Sequence, residues 1–324
     1  MAFDILRHHL SLFLENVEPR RVCKAWAVAL LIPRIFMYPK KISTGDSSRL
    51  QVGRTLTCQW MKGDPFATLT TALQKNTSIT YITLRGNNIS DAGAELLAEA
   101  LLVNRSITDL NLRSNNIADK GAKSLAMALH GNNVLTRLDI SFNKIQVEGA
   151  KALAAALLVN TSLALIDLSF NKIGNEGIKE LATALHINTA LTKLNLYNTQ
   201  IHAEGAIALA GALRVNETLT RLYLEYNQIG DEGAKALAAA LHVNATLTRI
   251  KLNNNHIEDE GIKTLEAALH VNTTLRYIDL RSNQFWDAST PTLLAKLQVN
   301  KVGTTILFDD CLQGNTGLQG NTGI

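Results

Sequence analysis

Residues 219–246 read LTRLYLEYNQIGDEGAKALAAALHVNAT, and residues 247–274 read LTRIKLNNNHIEDEGIKTLEAALHVNTT. The two lines share their apolar letters, an Asn at each end and a central Gly, and they differ most within the first eight places. With Leu219 as position 1, the same register opens at Ile79, Ile107, Leu135, Leu163, Leu191, Leu247 and Leu275, always at a spacing of 28 residues. A fixed period of this length is the mark of a solenoid, in which no unit can bury its apolar face alone and each stacks on the next.

The letters within a unit divide it into parts. Positions 1, 4 and 6 are apolar (Leu219, Leu222, Leu224), and the 4/6 alternation predicts a short strand with one buried face. Position 9 is Asn in every unit except one, where Thr199 stands. An amide there can both donate to and accept from backbone groups as the chain leaves the strand, and a hydroxyl can make one or two of those contacts. Position 15 is Gly in the seven units from Gly93 to Gly261. Apolar residues follow at positions 16, 19, 22 and 23, as in Ala234, Leu237, Ala240 and Leu241, which is helical spacing. Position 26 is Asn in every unit, and is expected to end the helix in the left-handed conformation that Asn tolerates. Each unit is therefore strand, turn, helix and return.

The recurring pattern LxxLxLxxNxIxxxGaxxLaxaLxxN resembles the ribonuclease-inhibitor-like leucine-rich repeat over residues 79–300. That resemblance implies an α/β horseshoe with a concave parallel sheet and convex helices. A degraded unit is expected over 51–78, where Leu56, Ala67, Leu69, Leu73 and Asn76 fit, and a last strand within 303–310. The organisation is thus 1–50 as a helical segment, 51–310 as the solenoid and 311–324, LQGNTGLQGNTGI with its neighbour Cys311, as a flexible tail. The family's inhibitors are rich in cysteine and acidic residues; three cysteines and a net charge of +4 argue against an inhibitor of that kind. Alanine-rich, nearly identical units also resemble repeats in effectors of intracellular bacteria.

The strand's outer face is expected to carry function, because positions 3, 5, 7 and 8 vary most. All seven aromatic residues between 79 and 283 fall there: Tyr81, Phe142, Phe170, Tyr197, Tyr223, Tyr226 and Tyr277. Phe142, Phe170, Tyr197, Tyr223 and Tyr226 would form one exposed patch across successive strands. Arg137, Lys193, Arg221, Arg249 and Lys251 surround it, together with Asp139, Asp167 and Glu225. Exposed rings rimmed by charge are typical of partner surfaces.

Other chemistry is weaker. Asp139 and Asp167 occupy position 5 of adjacent units, but on an open, solvated sheet two carboxylates have nothing to exclude water. His130, His186, His242 and His270 recur at the helix ends, too far apart to converge on a metal. No nucleophile, metal or cofactor constellation stands out, so a non-enzyme is expected. The basic excess sits in residues 1–54, with nine Lys and Arg against four Asp and Glu, which is too little to argue for nucleic-acid binding. The apolar run 25–32 is too short to span a bilayer, and scattered cysteines suit a reducing, cytoplasmic setting (a host cytosol for an effector).

Residues 1–50 are not repetitive. Ile5, Leu6, Leu10, Phe13 and Leu14, then Arg21-Val22-Cys23-Lys24-Ala25-Trp26, resemble an F-box, although the usual Leu-Pro entry is missing. The resemblance implies docking to the adaptor subunit of a cullin-type ubiquitin ligase through Leu14, Val22 and Trp26. The other reading is a helical cap on the first unit.

Overall fold

The structure is a computed structural model, and it describes residues 54–57, 64–285 and 304–308. The segment read as a cap or F-box, the tail from 311 and the helix of the unit opening at Leu275 lie outside the described residues.

Strands and helices alternate from β1 to β9, and a last strand follows: β1 (Arg54–Thr57), α1 (Asp64–Lys75), β2 (Ile79–Thr83), α2 (Asp91–Val103), β3 (Asp109–Asn111), α3 (Asp119–Gly131), β4 (Arg137–Asp139), α4 (Val147–Leu157), β5 (Leu165–Asp167), α5 (Gly174–Leu185), β6 (Lys193–Asn195), α6 (Ala203–Leu213), β7 (Arg221–Tyr223), α7 (Gly230–Leu241), β8 (Arg249–Lys251), α8 (Asp259–Val271), β9 (Tyr277–Asp279) and β10 (Thr305–Leu307). The strands form one parallel sheet in chain order from β1 to β10. From β2 to β9 the register is fixed at one repeat length, so equivalent positions line up across strands: Arg137 opposite Leu165, then Lys193, Arg221, Arg249 and Tyr277. Helices pack about 8–10 Å apart and strands about 4.8 Å apart, so the helix layer needs more width and the sheet takes the inside of the bend.

The core is a continuous stack of the leucine positions. In the unit opening at Leu219, Leu219, Leu222, Leu224, Ile229, Leu237 and Leu241 are fully buried, as are the alanines at 234 and 240. Those alanines let α7 approach the sheet while keeping high helix propensity. Gly at position 15 serves the same closeness. A Cβ on Gly121 would come 2.7 Å from Asp91 Oδ1 and 2.8 Å from Ile117 Cγ2.

The Asp91 carboxylate is itself a device that the sequence reading missed. Its Oδ1 accepts the N–H groups of Ala118 (2.7 Å) and Gly121 (2.9 Å), so the first residue of α2 caps the start of α3 in the next unit. Asp119 caps α4 and Asp231 caps α8 in the same way, and Asn175 bonds the N–H of His202 before α6. Where this position holds Val147 or Ala203, no such cap exists. The next unit then carries Gly174 or Gly230, each at a left-handed φ (64° and 60°), and its N–H bonds onward to Thr199 O or Asn255 O.

The Asn at position 26 does not end its helix in the left-handed conformation. Asn104, Asn132 and Asn272 have φ of −72°, −102° and −70°. Each is buried and bridges two units. Asn188 Nδ2 donates to Leu157 O (2.7 Å) and Asn160 O (3.0 Å), and its Oδ1 accepts from the N–H of Ala190 (3.0 Å) and Leu191 (2.7 Å). The left-handed residue shared by the units is at position 8, as in Ser114, Asn198 and Asn254, and three units add a second at position 10, in Asn88, Gln200 and His256. The earliest unit follows the plan, with Leu56, Leu69 and Leu73 buried and Asn76 Oδ1 accepting from Ser78 and Ile79; only Ala67 is exposed.

Candidate functional site

Four of the five rings expected to form a patch stack in a single row at the loop end of the strands. Phe142 lies 3.8 Å from Phe170, Phe170 4.6 Å from Tyr197, and Tyr197 4.9 Å from Tyr226, measured between ring centroids. The Arg113 guanidinium, which the sequence reading missed, closes the row at 4.3 Å from the Phe142 centroid. Its signal was available, since it occupies position 7 of the unit before Phe142.

Phe142, Phe170 and Tyr226 hold φ of 53°, 54° and 55°. This conformation costs a bulky L-residue about 1 kcal/mol or more and suits Gly, Asn or Ser. Other units place Gly86, Asn198 and Ser282 there, so the backbone accepts an unstrained residue. Three units carry a large ring instead. Tyr197 joins the row from position 7, one residue earlier, because Asn198 takes the left-handed place in its unit.

Tyr223 does not belong to this row. It projects from β7 between two ammonium groups, Lys193 at 4.7 Å and Lys251 at 5.1 Å from its centroid. Farther along, Arg249 lies 4.4 Å over Tyr277. The expected single patch is therefore two features, a ring row on the loops and a cation–ring lattice on the strands. Of the rings in the row, only Tyr226 is exposed; Phe142, Phe170 and Tyr197 are half-buried by one another.

The expectation of an open, solvated position 5 needs correcting, and that of an outward position 7 fails in three units. Asp139 is largely buried, and burial raises its pKa despite the bonds it accepts from Ser141 N–H (3.0 Å) and Ser141 Oγ–H (2.6 Å); the neighbouring Asp167 charge raises it further. Asp167 repeats the arrangement with Ser169 and also accepts from Asn195 Nδ2 (2.8 Å). Both carboxylates thus accept bonds that hold the loop after the strand. Position 7 is buried in three units, at Ser141, Ser169 and Glu225, and stays exposed or half-buried in the others, as at Arg85, Arg113, Tyr197 and Arg281. Burial raises the Glu225 pKa, while Lys251 at 3.0 Å opposes that shift. Burial pulls the Lys251 pKa down, but the bond and charge of Glu225 outweigh it and leave it raised.

Arg137 pairs with Asp109 at 3.2 Å, and Arg221 is exposed in line with Lys193 and Arg249. Leu14, Val22 and Trp26 lie outside the described residues. Among the described residues no group of three or more His, Cys, Asp or Glu is placed to hold a metal, and no helix is long and apolar enough to cross a membrane.

Two family models match the chain. One, described as Leucine Rich repeat, matches residues 75–98, 103–126, 131–154 and 271–288, and another, described as the TMOD/LMOD Leucine-rich domain, matches 167–258. No curated protein matches. Among solved structures, Leiomodin-1 Actin-Binding Site 2 is 26% identical at a TM-score of 0.39, covering 46% of this chain and 86% of that one. An internalin C2 from Listeria monocytogenes is 20% identical at a TM-score of 0.47, covering 74% of this chain and 84% of that one. The 28-residue register, the single parallel sheet backed by helices and the two family models agree that the chain is a leucine-rich-repeat protein.

Proposed function

We propose that this protein is a non-catalytic binding module that holds a partner protein on the inner face of its sheet, with the ring row as anchor. The full helix in each 28-residue unit from the one opening at Ile79 to the one opening at Leu247 supports the ribonuclease-inhibitor-like form of repeat. The observation that carries the reading is the placement of Phe142, Phe170 and Tyr226 at left-handed positions where smaller residues fit without strain. Strain kept against an available alternative marks a site under functional demand. Aromatic residues beside Arg are also the side chains that dominate binding energy at interfaces.

The test replaces Phe142, Phe170 and Tyr226 together with Asn. Lost ring stacking, about 0.5–1.5 kcal/mol per pair, is offset by relief of the left-handed strain, so the melting temperature should move little. Affinity capture with this variant should lose the partners held by the native chain, whereas Lys151→Ala and Lys235→Ala on the outer helices should keep them. An unchanged captured set from the Asn variant places the binding surface elsewhere.

A second reading keeps the same receptor face and adds ligase-adaptor docking through Leu14, Val22 and Trp26. It is supported by the Arg21-Val22-Cys23-Lys24-Ala25-Trp26 run. Leu14→Ala with Trp26→Ala should release a captured adaptor subunit without changing the thermal transition. Loss of the transition instead assigns the segment to capping.

A further inference from the structure

Position 3 of the strands carries Lys193, Arg221 and Arg249 on β6, β7 and β8, directly opposite one another in register. Neighbouring strands are about 4.8 Å apart, and like charges set opposite each other destabilise a sheet. The fold does not require them, since the same position holds Asp109, Leu165 and Tyr277 in other units. Nor are they neutralised within the face. Arg137, Lys251 and Arg281 each meet a carboxylate, whereas among the described residues Lys193, Arg221 and Arg249 are in no ion pair. Residues 55–324 hold 23 Lys and Arg against 24 Asp and Glu, so this row is a local concentration of charge and no reflection of a basic domain.

From this row we infer that the partner presents an extended acidic segment, which lies across β6, β7 and β8 with its carboxylates over Lys193, Arg221 and Arg249. The inference rests on the binding-module reading and gives its partner a chemistry. The row spans about 10 Å, which three to four residues of extended chain cover at about 3.3 Å each. Beside it, at the loop end of the same strands, Tyr226 offers the exposed end of the ring row to an apolar side chain of the segment. The rings favour a protein over a nucleic acid. Stacking a run of bases needs several open ring faces, and here Lys193 and Lys251 lie on Tyr223, Arg249 covers Tyr277 and the loop rings stack on one another, which leaves Tyr226 alone exposed at the end of the row.

Fluorescence anisotropy on the full chain tests this with three fluorescein-labelled probes. They are a peptide alternating glutamate with glycine around a central phenylalanine, the same peptide with lysine for glutamate, and single-stranded oligothymidylate. The glutamate peptide should bind, weaken as salt is raised, and lose at least about tenfold in affinity to the variant Lys193→Glu, Arg221→Glu, Arg249→Glu. That variant gives up the contacts of Lys193 with Tyr223 and of Arg249 with Tyr277, so its melting temperature should fall modestly while the cooperative transition is kept, and it should now prefer the lysine peptide. No binding of the glutamate peptide, equal binding by the reversed variant, or tighter binding of oligothymidylate overturns the inference. The capture experiment separates this from the broader reading. If the ring-to-Asn variant loses its partners and the charge-reversed chain keeps them, the surface stands and the acidic chemistry falls.

Discussion

The two ends of the strands are closed by two rows of asparagine, and the rows behave differently. At the end where helices return to strands, Asn104, Asn132, Asn160, Asn188, Asn216, Asn244 and Asn272 are all buried, and each amide repeats the four bonds described for Asn188. At the end where strands leave for helices, the row from Asn87 to Asn283 is interrupted by Thr199 and holds an unpartnered oxygen on Asn255. Ionisable groups are also buried at this second end, Glu225 among them. The first end has one task, which is to join units. The second joins units and also carries the ring row, and its loops and hydrogen bonds differ from unit to unit.

The largest effect should follow from damage to the uniform row. Asn188→Leu removes partners from two carbonyls and two N–H groups, all buried or nearly so, and each orphaned group costs about 1–3 kcal/mol. A loss of about 3 kcal/mol or more is expected in denaturant unfolding. At the other end, Asn143→Leu removes donors to Leu112 O and Ile140 O and the acceptor for Ile117 N–H, at a half-buried site. It should cost less, about 1–3 kcal/mol. Equal losses at the two sites would show that the difference between the ends is one of appearance only.

The interruption at Thr199 has a specific cause. In other units the N–H at position 11 donates to the next unit's ladder oxygen, as Ile145 does to Asn171 and Ile201 to Asn227, both at 3.0 Å. In the two units with a left-handed Gly at position 12, Gly174 and Gly230, the chain bonds onward through the Gly N–H instead. At Asn255 this leaves Oδ1 without a partner. Thr199 has no such oxygen to strand; its Oγ donates to Leu196 O at 2.8 Å and is satisfied. Thr199→Asn should therefore destabilise by about 1 kcal/mol, and Asn255→Thr should be neutral or stabilising, because Leu224 O keeps its bond from Asn227 Nδ2. Chemical denaturation of both variants decides it. A stabilising Thr199→Asn would mean that the Thr is mere drift.

The fold was readable because periodic burial writes itself into periodic letters: each leucine at position 1, 4 or 6 has one environment, repeated. The ring row was readable in part for the same reason, since aromatic residues at non-leucine positions stand out against the period. What the letters hid was direction. Tyr223 and Tyr226 are three residues apart, yet one lies on a strand between two lysines and the other beyond a left-handed bend. That bend could have been located from Gly86, Ser114, Asn198 and Asn254 at position 8. The Asn at position 26 drew the left-handed reading instead, since Asn suits both that conformation and a buried amide bridge. Cross-unit caps such as Asp91 to Gly121 were hidden because helix caps are sought within one unit and this one spans two.

The smallest expected effect concerns charge, and it separates the two ends by pH. The seven amides of the uniform row do not titrate, so pH dependence arising from buried groups should come from the other end, and Asp139 is the clearest case. Its pKa is raised above 3.8, chiefly by burial, so the folded chain holds this proton more tightly than the unfolded chain. Stability from this group is then fully present below the unfolded pKa and is lost as pH rises through the folded value. Asp139→Asn keeps an oxygen for Ser141 N–H and Oγ–H and removes the charge beside Asp167. The variant should match the native chain at the acid end of the carboxylate range and exceed it at neutral pH. Because part of the group still meets solvent, the gain should stay below about 1 kcal/mol. Urea unfolding at a series of pH values from the carboxylate range to neutrality measures the gap directly. A gap that is constant with pH, or one that favours the native chain at neutrality, would show that Asp139 is stabilised as a carboxylate and that its bonds to Ser141 outweigh its burial.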